Sequence, residues 1–588
     1  MAGRVAELKT LIENDVPDSL ATGIAHIYQM WQSHKSGKMS DWEETRQFLF
    51  ATDTRSTSTG LLPHKNSTTL PKLTQIRDNL HANYMAALFP NDEWLKWEGY
   101  SEEDDTAEKR KSIQAYMSNK LRQSGFRNVV SKLVYDYIDY GNCFGDTYYT
   151  KESSENIDGE EIVAYEGPRA YRVSPYDIVF NPAAMDFDHS PKIVKSIKTL
   201  NELRAEAMEQ PDMKYDLSVI ERAANIRSKS SAYDAADFNK AMAYSIDGFG
   251  SLHEYYQSGY VEILEFQGDI ADENGTFLRN YMITVIDRRY VVRKVPNPSW
   301  TGKDTMVHGG WRSRPDNLWA MGPLDNLVGI QYRIDHLENL KADAMDKAVD
   351  PVKLIKGNVD EFEDAPGEYA FGDPDSDVVE LGKNLNGVIA ADNNIQMLMQ
   401  TMEEMAGAPK QAMGIRTPGE KTAYEVQQLE NASSRIFQQK ATDFEINVLE
   451  PLLNNMLAEA RRNLSGVDVA RVMDDDLGVE GFLKISKEDL SAKGKLRPIG
   501  ARHFAARAQL LQNLNGVYSS PVGQMIAPHT SSIGLAGLVE DSLGLARYQI
   551  YKPNVAVFEQ METQKLMNQA QEDIEAQAMT PIEDEGIG

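Results

Sequence analysis

Cysteine is nearly absent. The chain's 588 residues include one, Cys143, within Tyr140-Gly-Asn-Cys-Phe. A single cysteine excludes any disulfide within the chain and points to a reducing compartment; its expected role is that of a small buried hydrophobe. Long apolar runs are missing too: none approaches the ~20 residues needed to span a bilayer. The N-terminal Met1-Ala-Gly-Arg-Val-Ala-Glu-Leu alternates charged with apolar residues and has no signal-peptide core, so a soluble protein is expected. Positive charge is in deficit. Lys and Arg total 61 against 89 Asp and Glu, a net charge of −28. Such a surface repels polyanions at long range. It excludes a protein that grips nucleic acid by a broad basic face, but not one past which nucleic acid slides. The ten histidines supply no His-x3-His pair and no His-Glu-x-x-His, so no helical zinc site is expected. No Ser-His-Asp or Cys-His arrangement stands out, and there is no internal repeat.

What is present is a large chain with 41% hydrophobic residues, enough for sizeable cores in several domains or one elaborated subunit. The first 140 residues read as helical. Pro71 opens a helix with Leu73, Ile76, Leu80, Tyr84 and Leu88 on one face. Ile113, Tyr116, Met117 and Leu121 mark a second. Phe126 to Ile138 makes a third, which Gly141 ends. Short β-rich runs follow at Thr147-Tyr-Tyr-Thr, Glu161-Ile-Val-Ala-Tyr and Arg169-Ala-Tyr-Arg-Val, closed by Ser174-Pro-Tyr-Asp-Ile-Val-Phe-Asn-Pro. A polar helical stretch over about 199–243 separates these from strands at Tyr260-Val-Glu-Ile-Leu-Glu-Phe, Tyr281-Met-Ile-Thr-Val-Ile and Tyr290-Val-Val-Arg-Lys-Val. Their short connections predict antiparallel pairing.

Leu324, Leu327, Ile330, Ile334, Leu337, Leu340 and Ala344 then recur at spacings of 3, 3, 4, 3, 3 and 4. This narrow stripe suits a helix packed lengthwise on a neighbour, in the same chain or in another subunit. Pro351 ends it. A short acidic, turn-rich, strand-like insert follows, and then a second helix from Asn393 to Met405. A Gly/Pro loop, Gly407 to Gly419, leads into an unbroken helical pattern of about forty residues, Glu420 to Arg462, which would reach ~60 Å. That length is expected to serve an assembly, with a kink at Pro451. Farther on, Gly494-Lys-Leu-Arg-Pro-Ile-Gly-Ala-Arg-His-Phe leads into another helix. A last helix over about 556–578 runs into an acidic tail.

Several motifs carry possible chemistry, and each has a plainer reading. Gly414-Ile-Arg-Thr-Pro-Gly-Glu-Lys421-Thr422 is one residue out of register with a phosphate-binding loop. It follows a helix instead of a strand, and Pro418 lacks a backbone N–H. Asp373, Asp375 and Asp377 alternate like the start of a calcium loop, but the sixth position is Val378 and the twelfth Asn384, so a surface turn is expected. Lys493, Lys495, Arg497, Arg502 and Arg507 surround His503 in one local basic patch. Salt bridges to an acidic protein explain it at least as well as phosphate contact. Trp94 and Trp97 are expected to fix a loop onto helices.

In order along the chain, these segments resemble the portal (head–tail connector) proteins of short-tailed double-stranded DNA phages. Tyr140-Gly-Asn-Cys-Phe with Arg169-Ala-Tyr-Arg-Val-Ser-Pro-Tyr-Asp-Ile-Val-Phe-Asn-Pro is similar to the wing region of that family. Thr422-Ala-Tyr-Glu-Val and the helix through Leu449-Glu-Pro-Leu-Leu-Asn-Asn-Met-Leu are similar to the helix after the tunnel loop. Gly500-Ala-Arg-His-Phe-Ala-Ala-Arg-Ala-Gln-Leu is similar to the segment just after it.

The resemblance implies an α+β, mainly helical subunit that assembles as a ring, a dodecamer. It implies a wing over 1–315, stem helices over 316–350 and 391–406, a clip over 351–390 and a tunnel loop over 407–421. A long kinked helix with a return to the wing would follow over 422–510, then a crown and acidic tail over 511–588. The implied function is non-enzymatic and needs no cofactor or metal: a channel at one capsid vertex for genome packaging and ejection. The implied partners are further copies of the chain, the major capsid protein, the terminase, a tail adaptor and the DNA in transit, with no membrane. The location is the virion, and host cytoplasm during assembly. Stem packing falls to Leu324, Leu327, Ile330, Ile334, Leu337 and Leu340. The clip's docking surface falls to Asp360, Glu361, Glu363, Asp364, Asp373 and Asp375. Sparse DNA contacts fall to Lys410, Gln411, Arg416 and Lys421. The competing readings are a tail adaptor or scaffold without a channel, and a nucleotide-binding enzyme built on the imperfect 414–422 loop.

Overall fold

A computed structural model of the chain describes residues 18–52, 65–90, 94–155, 161–209, 214–226, 260–272, 275–297, 304–349, 353–356, 377–380, 385–406, 436–464, 468–473, 480–488 and 490–500. The fold is α+β. Helix α1 (Ser19–Leu49) buries Ile24, Tyr28, Trp31, Lys35, Met39, Trp42 and Phe48 at helical spacing. Helix α2 (Lys72–Leu88) buries the five residues that its periodicity predicts. Strand β1 (Leu95–Gly99) follows, then helices α3 (Ala107–Gln123) and α4 (Phe126–Asp139). Thr106 caps α3 by accepting from the backbone N–H of Lys109. Gly141 ends α4 with φ +68°. A Cβ there would lie 2.3 Å from the backbone nitrogen of Gly322, so only glycine fits.

Strand β1 corrects the expectation of a loop around Trp97. Leu95 and Trp97 alternate inward. The indole N–H of Trp97 donates to the Asp104 carbonyl at 3.1 Å, and the strand pairs with a partner four hundred residues on. Nothing local in sequence marks a pairing of that range.

Strands β2 (Asn142–Glu155) and β3 (Glu161–Val173) form one long antiparallel hairpin where separate short runs are expected. The ladder continues through Gly167 and Pro168, which pair with Thr150 and Tyr149. Strands β4 (Ile178–Phe180) and β5 (Lys192–Thr199) come next. Helices α5 (Leu200–Glu209) and α6 (Leu217–Ile226) account for the described part of the polar helical stretch. Strands β6 (Tyr260–Ala271), β7 (Phe277–Ile286) and β8 (Tyr290–Pro296) pair antiparallel, as their short connections predict, in a five-stranded sheet of order β4-β5-β6-β7-β8. The β7–β8 turn places Asp287 and Arg288 at φ 50° and 59°, the left-handed pair of a tight hairpin. One face of this sheet packs on the first half of α1, the other on α5 and α6.

Strand β9 (Val307–Gly310) adds to β2, and β10 (Arg312–Arg314) pairs with β11 (Asn317–Met321). Helix α7 (Val328–Val349), the hairpin β12 (Lys353–Lys356) with β13 (Asp377–Glu380), and helix α8 (Leu385–Ala406) follow. Residues 436–444 are helical. A π turn, Glu445–Leu449, then leads into α9 (Glu450–Asn463). Pro451 is the second residue of α9, directly after the π turn and inside a run that is helical from 436 to 463, and the widened turn before it accommodates the missing N–H. Strands β14 (Asp468–Met473), β15 (Glu480–Ile485) and β16 (Gly494–Pro498) complete the described chain. β14 pairs with β15 and β16 with β1, so the Gly494 segment begins as a strand.

The described part of the long helix is the spine of the main core. Phe444, Val448, Leu449, Leu452, Leu453, Met456, Leu457 and Ala460 are all buried there. The π turn lies against β9 and α9 against β2, β3 and β16, while Phe444 meets Tyr137 of α4. This half of the helix serves the subunit's own interior. Residues 420–435, the tunnel-loop span 407–421 and the helix over 556–578 lie outside the described residues.

Candidate functional site

Helices α7 and α8, 22 residues each, form a two-helix rod of about 33 Å per helix. They run antiparallel. The Lys341 ammonium meets the Asp392 carboxylate at 3.2 Å. Toward the other end, Gln331 on α7 and Glu403 on α8 both reach the start of α2, at the Leu73 N–H and the Lys72 ammonium respectively. Hydrogen bonding to Glu338, at 2.7 Å, holds the Lys341 ammonium above its ordinary pKa. At the far end the β12–β13 hairpin sets Lys353 opposite Glu380 and Lys356 opposite Asp377 in register.

The predicted stem residues divide in two. Leu324 and Leu327 are wholly buried but precede α7, in the turn that leads into it. Ile334 and Leu337 are buried in the main core, with half-buried Ile330 against it. On α8, Ile395, Met402 and Ala406 join them. For this inner half the packing neighbour is the same chain. Leu340, the last of the predicted stem residues, is 39% exposed, and Met345, Val349 and, on α8, Ile389 and Met397 are exposed beyond it. The core ends at Leu337.

A second line on α7 is polar, and periodicity of apolar residues does not find it. Gln331, Asp335, Asn339 and Asp343 are spaced by four and line one face. Each holds the main chain of residues 65–73. The Leu73 N–H donates to Gln331 Oε1 at 3.1 Å, and Gln331 Nε2 donates to the Leu70 carbonyl at 2.6 Å. Asp335 accepts from the Leu70 N–H at 3.0 Å and from the Thr69 hydroxyl at 2.8 Å. Asn339 exchanges both of its amide bonds with Thr68, 2.7 Å each. Asp343 accepts from the N–H groups of Lys65, at 2.8 Å, and Asn66, at 3.0 Å. Burial raises the Asp335 pKa above the ordinary carboxylate value, against the lowering effect of the Leu70 N–H. The i, i+4 run of Gln, Asp, Asn and Asp was the available signal. The segment it holds is recognised mainly by its backbone, with the Thr69 hydroxyl and the Asn66 amide adding side-chain contacts.

Other expected site residues are placed less informatively. Lys410, Gln411, Arg416 and Lys421, with the whole 414–422 loop, lie outside the described residues. So do Asp360, Glu361, Glu363, Asp364, Asp373 and Asp375. Of the basic patch, Lys495 faces Glu450 at 3.8 Å and Arg497 faces Glu98 at 2.9 Å, the salt-bridge reading; Arg502, His503 and Arg507 lie outside. Cys143 is buried, its thiol pushed well up in pKa by desolvation, with the S–H directed at the Gly309 carbonyl. Among the described residues no group of His, Cys, Asp and Glu could hold a metal ion, and no helix is long and apolar enough to cross a membrane. Protein-family models yield no match to this chain, and neither do curated proteins.

Proposed function

We propose that the chain is the subunit of a portal-type ring: a non-enzymatic channel at one capsid vertex of a short-tailed double-stranded DNA phage. It would pass the genome inward with the terminase and outward through a tail adaptor. The observation that carries this reading is the rod. Two antiparallel helices leave an α/β body and end in a β-hairpin, in the chain order that the resemblance assigns to stem, clip and stem. Seven large apolar side chains (Tyr332, Leu340, Met345, Val349, Ile389, Met397 and Met405) are exposed on these two helices. That concentration suits burial against the rods of neighbouring copies. Residues 1–315 and 422–510 then read as wing, 407–421 as the tunnel loop and 511–588 as crown.

Negative-stain imaging of the purified protein tests it. Rings with an axial opening are expected; compact solid particles under assembly-competent conditions would overturn the proposal. In the double variant Leu340→Asp/Met397→Asp, each change removes about 1.5–3 kcal/mol of apolar burial per interface. The ring fraction should fall at least tenfold, with the far-ultraviolet circular dichroism of the subunit unchanged. Rings that persist undiminished would remove the rod from the interface.

A further inference from the structure

We propose that residues 65–73, an extended segment that runs into the first turn of α2, are a splint that braces the outer half of the rod against the body. The inner half needs no such help, because Ile334, Leu337, Ile395 and Met402 anchor it in the main core. Past Leu337 no apolar side chain of α7 belongs to the main core, yet the polar line continues through Asn339 and Asp343 to Asp346, which accepts from the Asn66 side chain at 2.9 Å. The strap therefore follows α7 about nine residues, ~14 Å, beyond the end of the core.

The match is one of pitch. Four residues of helix advance ~6 Å, and two residues of extended chain advance ~6.6 Å. Each i+4 step on α7 therefore meets the strap about two residues on: Leu70 at Asp335, Thr68 at Asn339 and Asn66 at Asp343. Seven main-chain groups are held: the N–H groups of 65, 66, 68, 70 and 73 and the carbonyls of 68 and 70. The strap's root is fixed independently of α7. The Lys72 ammonium pairs with Glu403 at the base of α8, and the Thr74 hydroxyl donates to the Leu49 carbonyl at 2.8 Å. A strap fixed at its root to α1 and α8, and along its length to α7, resists bending of the rod. The inference holds for the single subunit and does not depend on the ring.

The test uses Asn339→Ala/Asp343→Ala in the full chain. Hydrogen exchange of the 65–70 amides should quicken at least tenfold, with the α9 amides unchanged. Spin labels on Val349→Cys and Tyr100→Cys, both exposed, report the rod's spread; the native Cys143 is buried and does not label. The distance distribution should broaden at least twofold in the variant. Unchanged strap exchange, or a freed strap with a distribution of the original width, overturns the proposal. If the double variant loses protection throughout α9, Asp343→Ala alone, which releases Lys65 and Asn66 at the outer end, is judged by the same two outcomes.

Discussion

Asp146 is a residue whose chemistry departs from its sequence context. It lies on β2, buried where the β2–β3 hairpin meets the five-stranded sheet. The Tyr171 hydroxyl donates to its carboxylate at 2.9 Å, and the Thr147 N–H at 2.7 Å. Asp304 is nearby, and the Lys192 ammonium, 2.6 Å from Asp304, is itself buried. His308 adds no charge, since burial and then Lys192 depress its pKa to about 3. Desolvation first, and then the Asp304 charge, push Asp146 up to about 7. An unfolded aspartate titrates near ~3.9, so folding takes up a proton between these values. The stability contributed by protonated Asp146 is whole below pH ~4 and is lost as pH rises through about 7. Asp146→Asn keeps the neutral form at every pH. Denaturant unfolding should find the two proteins similar at acidic pH and the variant more stable at alkaline pH, by up to ~4 kcal/mol. A difference that does not change with pH would count against this account.

At the scale of elements, β9 and the π turn meet too closely for any side chain between them. A Cβ on Gly309 would fall 2.3 Å from Val448 Cγ2 and 2.9 Å from Cys143 Sγ. Val448 is β-branched and buried, so it cannot swing aside. Gly309→Ala should cost about 1–3 kcal/mol, read as a lower melting temperature, and adding Val448→Ala should recover part of that loss. An unshifted Gly309→Ala variant would show that the contact relaxes freely. Helices α2 and α4 and the β6–β8 meander carry complete local patterns, and they form where expected. β1 with β16 and the polar face of α7 depend on partners hundreds of residues away, and their own periodicity names neither the partner nor the contact. The apolar stripe over 324–340 was legible only as a stripe. Where it stops being core, at Leu340, depends on how far the body extends beside the rod.

For the whole molecule, the charge of −28 bears on the proposed channel. An acidic wall offers duplex phosphates few lasting contacts, and a ring multiplies that charge by its copy number. Under this reading the few cations of the 407–421 span matter out of proportion to their number. Replacing Lys410, Arg416 and Lys421 together with neutral residues should alter genome packaging or retention, measured as the DNA content of assembled particles. Particles with wild-type content and stability would withdraw a role for these three side chains.

Composition alone determined that this chain is acidic, free of internal disulfides and rich enough in apolar residues for large cores. Local periodicity determined most of its helices and its antiparallel meander, because those patterns are written in neighbours three, four or two residues apart. Tertiary structure decided that the described half of the long helix is interior, that Trp97 lies in a strand, and that a polar line on α7 holds an extended segment by its backbone. Each of these is a relation between distant segments. Main-chain recognition in particular leaves almost no trace in the identity of the residues recognised, since every peptide unit offers the same donor and acceptor.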